Sequence, residues 1–533
     1  MRFNSINNSR VGNRREVFGW AEVAVGAAYI PSYRKAGEGI CVSAFAIDHS
    51  KRNGVHMEYP ELFLFIDGAW RKTANTLPVI NPATEAVIGQ VPVATKTDLD
   101  DALDAAERGF RIWSKVSPRE RSDVMLRAAR FMRERIEKIA YSITLEHGKP
   151  YAQAQLEVIR GAEFFEWDAG EAQRLYGRVI PGAQGVRHMV LRQPVGQVAA
   201  FSPWNFPMSQ PARKIAGALA SGCSVILKAA EETPAGALHI ARAFQDAGLP
   251  DGVLNLVFGV PADISAHLIP DDRTRLVAFT GSTVVGRKLT TMASEYMTPV
   301  LMELGGHAPV IVCDDVDPAV VAPICADRKY RNTGQVCTSP TRFYVDEGLF
   351  GTFSDAFTAK ANATIVGDGL VDGIEMGPVA NDRRLGAIAR LVEDAVEQGA
   401  DLLAGGARIG NKGYFFEPTV LANVPDTARI MAEEPFGPIA ILNPVGSLDE
   451  GIYQANRLPY GLAAYGFTHS AANADRMAEC VEAGNLSINT LEASLPETPF
   501  GGVKWSGYGR EGGEEGLHHY TVVKNVSHKM SID

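Results

Sequence analysis

Cysteine is scarce and scattered in this chain of 533 residues. The six present are Cys41, Cys223, Cys313, Cys325, Cys337 and Cys480. With no C-x-x-C pair and no histidine cluster at ligand spacing, neither a disulfide framework nor a zinc site is expected, and a reducing compartment, the cytoplasm, is the natural home. Long apolar runs are missing too: none approaches the ~18 residues that a membrane-spanning helix requires. The net charge is −10, and no long Lys/Arg-rich tract offsets it, which excludes a nucleic-acid binder. No G-x-S-x-G occurs, so a hydrolase built on a nucleophile elbow is excluded. What remains is a soluble chain too long for one core and suited to two or three domains.

Met1 to Arg15 carries Arg2, Arg10, Arg14 and Arg15 without an acid, a faint transit-peptide pattern that Glu16, Glu22, Glu38 and Asp48 soon break. Residues 1–57 are therefore read as an irregular extension preceding a second possible start at Met57. From Phe63 the pattern becomes regular. A helix is expected from near Thr97, and another opens at Ser117-Pro118-Arg119-Glu120, where Ser117 caps, Pro118 takes the first turn and Glu120 closes a capping box. Its apolar stripe of Val124, Ala128, Phe131 and Ile139 runs to a stop at Gly148, and both helices read as scaffold. Arg178 to Arg192 reads as a hairpin arm turning at Pro181-Gly182, whose open edge suits a contact between subunits. Strands then alternate with helices: Gly196–Phe201, Ser224–Lys228, Val253–Val257 and Leu276–Phe279, followed by Pro309–Val312, Arg342–Val345 and Ala440–Leu442, with Tyr520–Val526 as a terminal strand. Such alternation predicts α/β architecture with parallel sheets and ligands beyond the strands' carboxyl ends.

Three of those ends look loaded. Phe201 leads into Ser202-Pro203-Trp204-Asn205-Phe206-Pro207, and Lys228 is followed by Glu231. Phe279 opens Thr280-Gly281-Ser282-Thr283-Val284-Val285-Gly286, a turn into a helix that could seat a phosphate on backbone N–H groups. That turn is not a Walker loop, since Arg287 stands where lysine is required, and it lacks the G-x-G-x-x-G spacing. Glu303-Leu304-Gly305-Gly306 sets a carboxylate at a glycine bend, a candidate general base. Cys337 lies in Lys329-Tyr330-Arg331-Asn332-Thr333-Gly334-Gln335-Val336-Cys337-Thr338, a polar turn of the kind that exposes and stabilises a thiolate. Glu434-Pro435-Phe436-Gly437-Pro438 and Pro499-Phe500-Gly501-Gly502-Val503-Lys504 complete the set.

Six motifs in this order, spread from about Phe63 to Val526, resemble the aldehyde dehydrogenase superfamily, most of all the succinate- and 2-oxoglutarate-semialdehyde dehydrogenases. The resemblance implies an NAD-binding doubly wound sheet (58–173 and 195–305), an α/β catalytic domain (306–515) and small oligomerisation elements (174–194 and 516–533) that would make a homodimer or homotetramer. It implies Cys337 as the nucleophile, with Asn205 and the Cys337 N–H holding the oxyanion, and Glu303 as the base for thioester hydrolysis. Lys228 and Glu231 would hold the adenosine ribose, Gly281 and Ser282 the pyrophosphate, and Glu434 the nicotinamide ribose, with Phe436 and Trp204 beside it. Glu231 accepts from a ribose 2′-OH but repels a 2′-phosphate, so NAD is expected ahead of NADP. Ala229 and His307 depart from the proline and lysine common in relatives, without removing a reacting group, and His307 is read as a packed histidine.

Arg213 and Arg331 fall near positions that are often apolar in this superfamily, and enzymes for aldehydes with a distal carboxylate resemble this chain in having arginine at both. Two guanidiniums could fork such a carboxylate, with Ser494 adding a hydroxyl. The expected substrate is a semialdehyde such as succinate semialdehyde. The alternatives are a broad-specificity or aromatic aldehyde dehydrogenase of the same mechanism, an acyl transfer to coenzyme A, which a Glu303 base disfavours, and a non-catalytic homologue, which the joint presence of Cys337, Glu303 and Asn205 disfavours.

Overall fold

The computed structural model of the protein describes residues 51, 52 and 55–531. The extension read over 1–57 lies, for residues 1–50, 53 and 54, outside them. Lys51–Arg52 pairs antiparallel with Val55–His56, and Met57 is already buried beside Tyr141 and Leu370.

The first sheet is built on Gln197–Phe201, Ser224–Lys228, Leu254–Val257 and Thr274–Thr280, strands buried along nearly their whole length. Near-continuous burial of this kind belongs to parallel strands covered on both faces. Strand order across the sheet is Gly507–Tyr508, Val300–Glu303, Thr274–Thr280, Gln197–Phe201, Ser224–Lys228, Leu254–Val257, Leu64–Ile66 and Ala69–Arg71. The five strands from Val300–Glu303 to Leu254–Val257 are parallel, and the outer pairings are antiparallel. From Gln197–Phe201 the chain first builds outward to one side and then returns to build on the other. That strand is therefore the topological switch point, where a crevice opens beyond the carboxyl ends. Register aligns those ends: Phe201 lies opposite Lys228 and Phe279, and Thr280 opposite Glu303.

A second, seven-stranded sheet runs Asp401–Ala404, Thr419–Ala422, Ile439–Val445, Arg342–Asp346, Pro309–Val312, Ala463–Phe467, Asn485–Ile488, parallel except at the Asp401–Ala404 edge. The chain then crosses back, and Gly507 pairs with Glu303 in the first sheet. Leu304 N–H donates to Ser506 O at 3.0 Å and the Ser506 hydroxyl to Gly305 O at 2.7 Å. This return fastens the segment after the second sheet to the strand that ends in Glu303. A separate three-stranded antiparallel ribbon, Arg178–Pro181, Val186–Pro194 and Thr521–Lys529, carries exposed Val179, Ile180, Leu191, Val522 and Val523.

Local signals explain the amino-terminal helices, with one difference. Thr95 caps Lys96–Trp113 through a capping box with Asp98, and Ser117 caps Pro118–Glu134 through one with Glu120. The single helix expected from Ser117 to Gly148 is instead two, because Arg135 leaves helical geometry (φ −107°, ψ 15°) before Ile136–His147 begins. Gly148 then ends the second in the left-handed region at φ 89°. The break lets both segments pack against the long helix Tyr151–Ala172.

Gly109, inside Lys96–Trp113, faces the Gly252 turn so closely that an added Cβ would stand 2.4 Å from the Gly252 carbonyl carbon. Alanine would gain about 0.5–1 kcal/mol of helix propensity, but overpacking against backbone costs about 1–3 kcal/mol. Gly109→Ala is therefore expected to lower the thermal midpoint in a melting scan; a raised midpoint would mean that the helix can move away from Gly252.

Candidate active site

Cys337 sits where the backbone is forced into an unusual path. Asn332 (φ 53°), Thr333 (φ 59°) and Gly334 (φ 68°) are consecutive left-handed residues, a conformation that is costly for β-branched threonine and persists only when its surroundings over-determine it. They do. Thr333 hydroxyl donates to Gly377 O at 3.0 Å, and Asn332 N–H to Gln153 Oε1 at 2.9 Å. The Asn332 amide donates to Asn205 O at 3.2 Å and Gln335 O at 3.0 Å. A Cβ on Gly334 would stand 2.0 Å from Gly437 O, so only glycine lets this turn lie against the Glu434–Phe436 loop.

Two cavities meet at the thiol. One, of about 320 Å³, is lined by Trp204, Asn205, Gly281, Ser282, Glu303, Glu434, Phe436 and Cys337 among others. The other, of about 340 Å³, is lined by Arg213, Arg331, Ser494, Phe164, Phe206, Phe500 and again Cys337. Of the catalytic, cofactor and substrate residues expected from the sequence, only Lys228 and Glu231 line neither. They sit at the end of the neighbouring strand, the Lys228 ammonium donating to the Glu231 carboxylate.

Each side chain is held by a definite element. Asn205 follows the switch-point strand; its side-chain amide donates to Gln335 O at 3.0 Å, and its backbone carbonyl accepts from the buried Lys149 ammonium at 2.9 Å. Lys149 is paired with Glu157 at 2.6 Å, and Glu157 also accepts from Met208 N–H at 2.8 Å, fixing the start of helix Ser209–Ser221. That helix carries Arg213, whose guanidinium lies between the Phe164 and Phe500 rings at 4.1 and 4.7 Å and donates to Ser494 Oγ at 2.5 Å. Arg331 lies over Phe206 at 5.8 Å, and among the described residues its guanidinium has neither a hydrogen bond nor an ion pair. Trp204 packs edge-on to Phe436 at 5.5 Å. His307 is buried and hydrogen-bonded at 2.8 Å to Ile430 O, and burial holds it neutral.

The electrostatics correct one expectation. Cys337 was read as an exposed, stabilised thiolate, yet it is half-buried, and burial with the Glu434 and Glu303 carboxylates pushes its thiol up to about 12. Glu303, buried with neither carboxylate oxygen hydrogen-bonded, is held well above the usual carboxylate range by burial and by Glu511, against the pull of Lys214, Arg213 and Arg510. Glu434 is raised to about 8 by burial. The resting site is thus a neutral thiol beside carboxylates that readily hold protons.

Several contributors escaped the sequence reading. Helix Tyr151–Ala172, which the sequence reading passed over, supplies Gln153, Glu157 and Phe164 to the cavity wall. Lys214, whose ammonium donates to Glu511 Oε1 at 2.8 Å within the electrostatic reach of Glu303, had none.

The sequence profile of the aldehyde dehydrogenase family matches residues 70–526. The chain belongs to that family, whose enzymes oxidise aldehydes with NAD or NADP. It is 45% identical over 464 residues (86% of this chain, 97% of the relative) to a 4-(hydroxymethyl)benzenesulfonate dehydrogenase of Comamonas testosteroni. To the NADP+ succinate-semialdehyde dehydrogenase of Escherichia coli it is 37% identical, covering 86% of this chain and 96% of the relative. The NAD+ complex of a Bacillus cereus aldehyde dehydrogenase superposes with a TM-score of 0.87 at 34% identity, covering 89% of this chain and 97% of that one. Among the described residues no helix is long and apolar enough to cross a membrane.

The raised thiol has a measurable consequence. Iodoacetamide labelling of Cys337, followed by peptide mass spectrometry, should accelerate with pH well into the alkaline range, because only the thiolate reacts. Glu434→Gln, which removes a nearby negative charge, should shift that rise to lower pH; an unshifted profile would show that Glu434 exerts no field on the sulfur.

Proposed function

We propose that the chain oxidises an aldehyde to its carboxylic acid with NAD, through a thioester on Cys337, and that the aldehyde bears an anionic group at its far end, as succinate semialdehyde does. The observation that carries this reading is the sharing of Cys337 by two cavities, one containing Glu303 and the other the unpaired Arg331.

The residues suit the steps. Deprotonated Cys337 Sγ attacks the aldehyde carbon, and the developing oxyanion accepts hydrogen bonds from the Cys337 N–H and the N–H of Asn205 that Gln335 leaves free. A bound dinucleotide supplies the hydride acceptor. Glu303, once deprotonated, takes the proton from the water that cleaves the thioester and frees the acid. Its raised affinity for protons means that this step gains with rising pH.

The cavity of about 320 Å³ suits the nicotinamide half of a dinucleotide, whose adenosine end would run out of it toward Lys228 and Glu231. Ser282, on the cavity wall, caps helix Thr283–Ser294, and the free first-turn N–H groups of that helix would suit a pyrophosphate. A Cβ at Gly281 would meet the Phe279 ring at 2.5 Å. Glu434 and Phe436 suit the nicotinamide ribose and Trp204 its surroundings, while Lys228 and Glu231 suit the adenosine ribose. The Glu231 carboxylate favours a free 2′-OH, and so NAD over NADP. The exposed apolar ribbon suits pairing of subunits into a homodimer or homotetramer, which light scattering would refute by returning the monomer mass.

A second reading is favoured by Phe164, Phe206 and Phe500 in the other cavity and by the relative named for a benzenesulfonate: an aromatic aldehyde with an acidic substituent. A volume of about 340 Å³ is on the order of ten water volumes, which holds a ring more fully than a four-carbon chain.

NADH production followed by absorbance tests both readings, over succinate, glutarate and 2-oxoglutarate semialdehydes, 4-formylbenzenesulfonate, butanal and benzaldehyde. Anionic aldehydes should exceed neutral ones roughly tenfold or more in kcat/KM, the worth of a charge-assisted hydrogen bond. Arg331→Leu should raise KM for the anionic compounds only. Equal efficiency with butanal would refute the anionic site, a higher kcat/KM with NADP the cofactor preference, and a coenzyme A requirement the hydrolytic step.

A further inference from the structure

Beyond the cavity that holds Cys337 lies an outer one of about 590 Å³, and Gln153, Arg328, Arg331 and Glu492 line both. These four side chains form the shared wall. Gln153 is immobilised: its carbonyl accepts from Asn332 N–H at 2.9 Å and its amide donates to Glu375 O at 3.0 Å. Glu492 is anchored by its backbone alone, the carbonyl accepting from Ser487 Oγ at 2.7 Å and the N–H donating to Thr490 Oγ1 at 3.3 Å.

The charges on this wall are loosely matched. Lys149 and Arg160, also on the inner cavity, have carboxylate partners at 2.6 and 3.1 Å. Arg328 and Glu492 approach only to 3.7 Å, with the Glu492 side chain 53% exposed, a pairing of the kind worth at most about 1 kcal/mol. The Arg331 guanidinium has no hydrogen-bond or ion-pair partner among the described residues, only the Phe206 ring beside it. Both Arg328 and Glu492 nevertheless lie within its electrostatic reach.

We propose that Glu492 and Arg328 form a charge-selecting rim, in which the Glu492 carboxylate occupies Arg328 while the cavity is empty and yields it to the anionic end of an incoming aldehyde. The rim makes anion binding a displacement: a substrate must outcompete a carboxylate already present, and a neutral aldehyde passes without disturbing the pair. Glu492 thereby sets how strongly charge is rewarded, and Arg331 supplies the fixed attraction. This rests on the anionic-substrate reading above.

The test compares KM for succinate semialdehyde with KM for butanal, and KM for 4-formylbenzenesulfonate with KM for benzaldehyde. Glu492→Gln should lower the anionic-to-neutral KM ratio roughly threefold to fivefold, and Arg328→Gln should raise it by a similar factor, as expected for a partly exposed charge at a binding rim. The Glu492→Gln effect should shrink between low salt and about 0.5 M salt, because the interaction is screened. An unchanged ratio in Glu492→Gln, with the wild type still preferring anions, overturns the rim and leaves the anionic reading standing. A wild type indifferent to charge overturns both.

Discussion

Everything at the site depends on three left-handed residues in a row. Asn332, Thr333 and Gly334 turn the chain back on itself at the end of helix Pro318–Tyr330, and without that turn Cys337 would continue away from the first sheet. The strain is met by hydrogen bonds to three separate segments, those bearing Gln153, Asn205 and Gly377, and by one within the turn to Gln335 O. A backbone so constrained has little freedom to relax, and the sulfur is therefore positioned before any ligand arrives. The same glycine contact that permits the turn also locks it to the loop carrying Glu434 and Phe436, which belongs to the other wall of the neighbouring cavity.

That arrangement reconciles two demands. In the proposed reaction the aldehyde would come to the sulfur from one cavity and the hydride acceptor from the other. Cys337 lies at the junction of the two cavities, and burial lowers its resting reactivity by raising the thiol. Glu303 receives the same treatment from the same cause, desolvation beside further acids. A thiol that keeps its proton at rest is less exposed to stray oxidation than a free thiolate.

Around the junction, buried ion pairs act as spacers. Lys149 with Glu157 ties the long helix Tyr151–Ala172 to the start of Ser209–Ser221, and Lys214 with Glu511 ties that helix to the segment returning from the second sheet. Each pair is almost wholly buried, so its net contribution to stability is small, and its value is in fixing where the helices stand. Arg213, wedged between two phenylalanine rings, inherits its position from both.

The alternation of strands and helices and the capping boxes were legible in the chain alone, because apolar patterning, caps and glycine turns are written within a few residues, while the grouping of Asn205, Glu303 and Glu434 with Cys337 came from the resemblance of their motifs to a known family. Arg213, Arg331 and Ser494 were legible as a group only through the likeness of their positions to those of known relatives. The tertiary structure decided what has no local signal: the break at Arg135, the role of helix Tyr151–Ala172 as a cavity wall, the Lys214–Glu511 pair, and the high proton affinity of Cys337 and Glu303. Those depend on desolvation and on charges brought from distant parts of the chain, and neither exists until the two sheets have closed around the site.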